Sequence, residues 1–124
     1  MSLPFSAESA RYVRDALANW LTYRGSRSDV VQDARLVATE LVGNAVRHAS
    51  PLDNGTVLVR WHQTNGDLEL SVCDGGGATV PQRMEPAPDA LDGRGLAIVA
   101  ALSSQWWVER TSRLHTVHAR LALE

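Results

Sequence analysis

Residues 28–49 constrain the fold of this chain more than any other part of its sequence. Apolar residues recur there at helical spacing and predict a buried helix face made of Val30, Ala34, Val37, Ala38, Leu41, Ala45 and Ala49. Glu40, Asn44 and His48 follow one another at intervals of four residues, so they form one polar stripe on another face of this helix. Such a stripe can converge on a ligand. Taken alone, however, it also fits an ordinary solvated helix face.

The remaining pattern predicts an α+β fold. Periodicity predicts helices at 6–23 and 93–102, and strands at 56–61, 68–73, 105–110 and 115–123. Asn65-Gly66 is a strong hairpin signal and makes the first two strands antiparallel neighbours. Together these elements predict a two-layer sandwich, with helices on one face of a mixed, mostly antiparallel sheet. Residues 75–92 show no period and are interpreted as a long loop, of the kind that often forms a lid over a ligand.

Size and composition narrow the function. With 124 residues the chain is expected to form one domain, 1–124, so partners would come from other chains. A net charge of −2 gives no overall basic field for binding nucleic acid. Cys73 is the only cysteine, and no run of about 18 apolar residues occurs, so we expect a cytoplasmic protein without a membrane span.

Two glycine-rich segments offer backbone that a ligand can approach closely. Asp74-Gly75-Gly76 follows a predicted strand, and Gly93-Arg94-Gly95-Leu96 begins a predicted helix whose free N–H groups attract anions. Each segment alone also fits a simple glycine turn, although such a turn leaves the carboxylate of Asp74 unexplained.

In chain order, the helix stripe and the two glycine segments resemble the N box and the two glycine boxes of the superfamily of gyrase B, Hsp90, histidine kinases and MutL. They are most similar to the small anti-sigma factor serine/threonine kinases of the RsbW and SpoIIAB type. The resemblance runs from about residue 8 to the C-terminus and implies the Bergerat, or histidine kinase-like, ATPase fold. It also implies ATP and Mg²⁺ as cofactors.

The resemblance implies a role for each motif residue. Asn44 would be the Mg²⁺ ligand, Glu40 the general base, and Asp74 the acceptor for the exocyclic amine of adenine. The other residues implied at the ATP site are Gly76, Ala78, Gly93, Arg94, Gly95, Leu96 and Thr116. Ala78 stands where the family has a glycine, and His115 stands where a glycine is expected before Thr116.

Arg47 and His48 stay open to two interpretations. Both are expected at the C-terminal end of the helix, where its dipole favours positive charge even without a ligand. One of them could instead reach a phosphate oxygen of a nucleotide.

By resemblance, the chain would be an ATP-dependent protein serine/threonine kinase acting in transcription regulation. It would bind a sigma factor and phosphorylate a small STAS-domain antagonist, and its first helix would be the surface for a homodimer or another partner. The alternative is an ATP-binding switch that acts by partner binding with little or no turnover. A plain interaction module would require every motif to be coincidental, and a sensor histidine kinase is disfavoured because no phosphoacceptor helix precedes the motifs.

Overall fold

A computed structural model of the protein describes residues 1–76, 93–111 and 113–123, and at 93–95 the backbone only. The described residues form three helices and five strands, in the order β1 (Ser2–Pro4), α1 (Ala7–Tyr23), α2 (Ser28–His48), β2 (Thr56–Thr64), β3 (Asp67–Asp74), α3 (Gly93–Leu102), β4 (Gln105–Arg110) and β5 (His115–Ala122). Most of the predicted 75–92 loop, together with Ala78, lies outside the described residues.

The strands form one sheet in the order β1-β2-β3-β5-β4, and each neighbouring pair among the described strands is antiparallel. The sheet is therefore antiparallel where a mixed, mostly antiparallel one was predicted. The sequence did not predict β1, because three residues that end in proline carry no readable alternation. Asn65 and Gly66 join β2 to β3 with φ values of 52° and 82°, which is the left-handed pair that a tight hairpin turn requires.

The helices cover one face of this sheet. Along β3 every second residue is buried, from Leu68 through Leu70 and Val72 to Asp74, so this set faces the helices. The central helix α2 packs against α1, α3 and three of the strands. Its buried residues include all those predicted except Ala49, which is half-buried where the helix ends. The predicted α+β two-layer sandwich is confirmed.

The two long helices each follow an N-cap residue in extended conformation that makes no side-chain capping hydrogen bond. Helix α1 follows Ser6, and α2 follows Arg27. The guanidinium of Arg27 donates to the Asp29 carboxylate at 2.8 Å and thereby lowers the pKa of that carboxyl.

Candidate functional site

The polar stripe on α2 is partly enclosed. Glu40 and Asn44 are half-buried, whereas His48, the last residue of the helix, is exposed. The side-chain oxygen of Asn44 is buried and has no hydrogen-bond partner among the described residues. Leaving such an oxygen unpaired costs about 1–3 kcal/mol. An amide oxygen is also a ligand type that suits Mg²⁺, so Asn44 fits the metal-binding role expected of it.

Arg47 lies next to this stripe. A Cβ atom placed on Gly43 would come within 2.8 Å of Nη1 of Arg47, so the guanidinium folds back along α2 over this glycine. The positive charge of Arg47 thus lies in the C-terminal part of α2, where the helix dipole favours it. Gly43 directly precedes Asn44, so this charge also lies close to the polar stripe. Both interpretations of Arg47 therefore remain compatible with the geometry.

Asp74 is the most enclosed charged residue in the described part of the chain. It ends β3 and is 1% exposed. Its Oδ1 accepts a hydrogen bond from the backbone N–H of Gly76 at 2.7 Å, and its Oδ2 lies 3.2 Å from Nδ1 of His115. A buried carboxylate is tolerated only when such donors replace water. Each carboxylate oxygen can accept more than one hydrogen bond, so Asp74 retains capacity for a ligand donor.

Strand register explains why His115 meets Asp74. The two residues are directly opposite each other across β3 and β5, and both side chains point to the helix-covered face. Thr116 is instead opposite Cys73, and strand alternation directs its side chain to the other face. The structure therefore does not bring Thr116 to the carboxylate of Asp74, and a role for Thr116 at the ATP site stays a prediction.

The sequence motifs give His115 no role of its own. The signal that could have found it is the alternation along β5, where Val117, Ala119 and Leu121 are buried. Counting back by two from Val117 places His115 on the core face. An imidazole on a core face needs a polar partner, and Asp74 is the acidic residue at the same level of the neighbouring strand.

A pair of backbone hydrogen bonds joins the end of α2 to the end of β3. The N–H of Gly75 donates to the carbonyl of Ser50 at 2.8 Å, and the N–H of Ser50 donates to the carbonyl of Gly76 at 2.6 Å. Residue 75 must be glycine here, because a Cβ atom would lie 2.2 Å from the carbonyl oxygen of Pro51. We call this pair the Ser50 clamp. It brings Asp74 to the same end of the molecule as the last turns of α2.

The second glycine segment lies where it was predicted. Helix α3 begins at Gly93, so the backbone of Gly93, Arg94 and Gly95 forms its first turn, and Leu96 is 6% exposed. The N–H groups in the first turn of a helix have no partner within the helix and attract anions. Because α3 packs against α2, this turn belongs to the same layer as the polar stripe.

Two features of the described residues lie outside this constellation. A groove of about 740 Å³ beside Gly75 is lined by Ser2, Leu58, Arg113 and neighbouring residues. Leu58 is opposite Cys73, on the sheet face that the helices leave uncovered, so the groove opens away from the polar stripe. No cluster of three or more His, Cys, Asp or Glu residues suited to a metal occurs in the described part of the chain. A metal held through Asn44 would therefore need other ligands, such as phosphate and water.

The tryptophans of β4 divide between the two sheet faces, as alternation predicts. Trp106 packs against the core. Trp107 lies on the uncovered face, stacked on His118 at 4.9 Å, with the guanidinium of Arg120 at 5.3 Å from its ring. Both tryptophans are half-buried.

Residues 3–121 match the family of histidine kinase-like ATPase domains. Because this match spans nearly the whole chain, the protein belongs to that family. This confirms the resemblance seen in the three motifs. A search of curated protein sequences gives no match.

Solved structures share the fold. The RsbU and RsbW domains of Rv1364c from Mycobacterium tuberculosis are similar with a TM-score of 0.73 and 25% identity, over 99% of this chain and 31% of that one. The SiaB-SiaC complex from Pseudomonas aeruginosa is similar with a TM-score of 0.73 and 16% identity, over 98% of this chain and 87% of that one. The histidine kinase domain of the blue-light activated kinase of Erythrobacter litoralis EL346 has a TM-score of 0.59 and 20% identity, over 98% of this chain and 62% of that one. This chain thus spans less than a third of the first structure.

No helix in the described residues is long and apolar enough to cross a membrane.

Proposed function

We propose that this protein is an ATP- and Mg²⁺-dependent serine/threonine kinase of the anti-sigma factor type. It binds a sigma factor and phosphorylates a STAS-domain antagonist. The observation that carries the proposal is the buried carboxylate of Asp74, held by two donors and joined through the Ser50 clamp to the helix that bears Glu40 and Asn44. Membership of the ATPase family supports the use of ATP.

Asp74 supplies adenine recognition in this proposal. Both of its oxygens already receive donors from the protein, so the group acts as an acceptor. The exocyclic amine of adenine is a donor and complements it, whereas the 6-oxo group of guanine or hypoxanthine is an acceptor and does not. Glycines 75 and 76 beside the carboxylate carry no side chain that would hold a flat base away.

The triphosphate is assigned to the end of the helical layer. The first turn of α3 presents backbone N–H groups, and Arg94 belongs to this turn. Arg47 supplies a further positive charge from α2. Asn44 would hold Mg²⁺ through its buried amide oxygen. When bound, this cation neutralises phosphate charge.

In this proposal Glu40 acts on the nucleophile. It is one turn before Asn44 on the same stripe and is half-buried. In the transfer step its carboxylate accepts the proton of a serine or threonine hydroxyl on the antagonist. The hydroxyl oxygen bonds to the γ-phosphorus while the bond from that phosphorus to the β–γ bridging oxygen breaks. The products are phosphoserine or phosphothreonine and ADP, and the proton then leaves Glu40 for water.

The sigma factor and the STAS-domain antagonist in this proposal come from the resemblance to anti-sigma factor kinases, and the similar structures support action through partner proteins. One contains an RsbW domain together with an RsbU domain, and another is a complex of SiaB with SiaC. Helix α1 offers a surface for a second copy or another partner, since Tyr12 and Tyr23 are 55% and 92% exposed on it. We propose a homodimer that uses this helix.

The decisive experiment separates binding from transfer. Glu40→Ala should leave the ATP dissociation constant within about twofold and lower the transfer of labelled γ-phosphate to STAS-domain proteins by at least about 100-fold. Asp33→Ala, which removes an exposed carboxylate from the same helix, is the matched control and should transfer at the wild-type rate.

A Glu40→Ala protein that transfers as fast as wild type would assign the base to another residue. Wild-type protein that binds ATP but transfers to none of a panel of STAS-domain proteins would favour the alternative, an ATP-binding switch that acts through partner binding alone.

A further inference from the structure

His115, which stands where the resemblance expects a glycine, contacts Asp74. Nδ1 of the imidazole lies 3.2 Å from Oδ2 of the carboxylate, and the two side chains are 18% and 1% exposed. The contact is fixed by the sheet, since the two residues are directly paired across β3 and β5. It is therefore built into the fold rather than formed by a loop.

We propose that His115 is a positioning residue that makes the base site selective for a 6-amino purine. This inference rests on the proposed function, because it assumes that Asp74 receives the base. His115 itself is not required to touch the nucleotide. It acts by fixing the orientation and the hydrogen-bonding role of Asp74.

The orientation follows from two anchors. Gly76 holds Oδ1 through its backbone N–H, and His115 holds Oδ2 through Nδ1. With one donor on each oxygen, the plane of the carboxylate cannot rotate without breaking a buried hydrogen bond. The remaining lone pairs consequently point in set directions, which is the preorganisation that recognition of a single amine needs.

The hydrogen-bonding role follows from the direction of the His115 contact. A carboxylate has only acceptors, so the imidazole donates from Nδ1 to Oδ2. Without this donor the carboxylate could turn, and its free lone pairs would no longer be aimed at the amine of the base. A 6-oxo purine cannot donate to Asp74 through its oxygen and gains nothing from this alignment, so His115 favours the 6-amino purine.

The test compares affinities for ATP and for inosine triphosphate by calorimetry. His115→Leu removes the donor with little change in bulk and should weaken ATP binding about tenfold, in keeping with the loss of a hydrogen bond to a charged group. Binding of inosine triphosphate should weaken less, so the ATP preference falls. His115→Asn keeps a side-chain N–H at the position of Nδ1 and should restore much of the preference.

His118→Leu is the matched control. His118 lies on the same strand but on the uncovered face, stacked on Trp107, so its loss should leave both nucleotide affinities unchanged. An equal loss of preference in this variant would show a general effect of altering β5 and would overturn the proposal.

The outcomes separate the two proposals. Wild-type protein that binds neither nucleotide overturns the proposed function and this inference together. Wild-type protein that prefers ATP, combined with a His115→Leu protein of unchanged affinities, overturns this inference alone. If His115→Leu does not fold, nitrogen NMR of the wild-type imidazole decides: hydrogen on Nδ1 with and without ATP supports the proposal, and a bare Nδ1 overturns it.

Discussion

At the scale of single residues, Asp74 is the side chain whose change should have the sharpest effect on binding. Asp74→Asn places an NH₂ group where one carboxylate oxygen lies. This donor would face another donor, which is the N–H of Gly76, the imidazole of His115 or the adenine amine. We expect ATP binding to fall below detection by calorimetry. We also expect the free energy of unfolding to fall by about 1–3 kcal/mol, the cost of a buried donor left without an acceptor.

Asp67→Asn makes the same change at the opposite end of β3, where the side chain is only half-buried. This control should bind ATP as wild type does. If Asp74→Asn also kept the wild-type affinity, Asp74 would have no part in the site.

Gly75 illustrates how one missing side chain holds two elements together. In Gly75→Ala the new methyl group would lie 2.2 Å from the Pro51 carbonyl oxygen, so the Ser50 clamp must open. Overpacking against rigid backbone costs about 1–3 kcal/mol, and denaturant unfolding should show a loss in this range. ATP affinity should fall as well, because the end of α2 then separates from Asp74.

Gly43→Ala provides the contrast. The atom closest to its new methyl group belongs to the far end of the long Arg47 side chain rather than to backbone. Alanine also favours a helix over glycine by about 1 kcal/mol, so this variant should unfold no more easily than wild type. A stability loss in Gly43→Ala as large as that in Gly75→Ala would mean that the backbone contact at Pro51 is not what matters.

At the scale of the elements, packing of α1 on α2 stabilises the helical layer that carries the site. Leu17 on α1 is fully buried in this layer. Leu17→Ala should lower the free energy of unfolding by about 2–5 kcal/mol, measured by urea titration. Leu36→Ala removes the same atoms from an α2 position that is 43% exposed and should change stability by less than about 0.5 kcal/mol.

The elements also show where sequence reasoning succeeds. Helix α3 and strand β4 have the predicted bounds, and β2, β3 and β5 differ only at their ends. Local periodicity and the Asn65-Gly66 turn are sufficient for this, because they depend on near neighbours in the chain. Strand β1 is missed because its partner, β2, lies more than fifty residues away and its own three residues carry no pattern.

Part of the candidate site could be predicted because its motifs are also patterns of near neighbours in the chain. These contiguous motifs contain Glu40, Asn44, Asp74 and Gly93. His115 could not be predicted in this way, because its importance depends on which β5 residue pairs with Asp74, and that register is a property of the sheet. The Ser50 clamp was equally invisible, since a backbone hydrogen bond leaves no trace in residue type apart from the glycine that permits it.

At the scale of the whole molecule, nucleotide binding should appear as stability. A ligand at 100 times its dissociation constant stabilises the folded state by about 2.7 kcal/mol, which for a chain of this length raises the melting temperature by roughly 10 °C. Calorimetric scans with ATP and Mg²⁺ should show this rise in one cooperative transition. GTP at the same concentration should give a much smaller rise, and equal rises would contradict adenine selection by Asp74.

The pairing of β3 with β5 determines when, during folding, the chain becomes able to bind a nucleotide. The β2–β3 hairpin closes over two residues, whereas Asp74 and His115 are 41 positions apart in the chain. Distant contacts form late during folding because the intervening segment must first lose its freedom. A nucleotide that needs this pair would therefore bind only after the rate-limiting step of folding and would stabilise the folded state but not the transition state. Stopped-flow measurements should show that ATP lowers the unfolding rate and leaves the refolding rate almost unchanged.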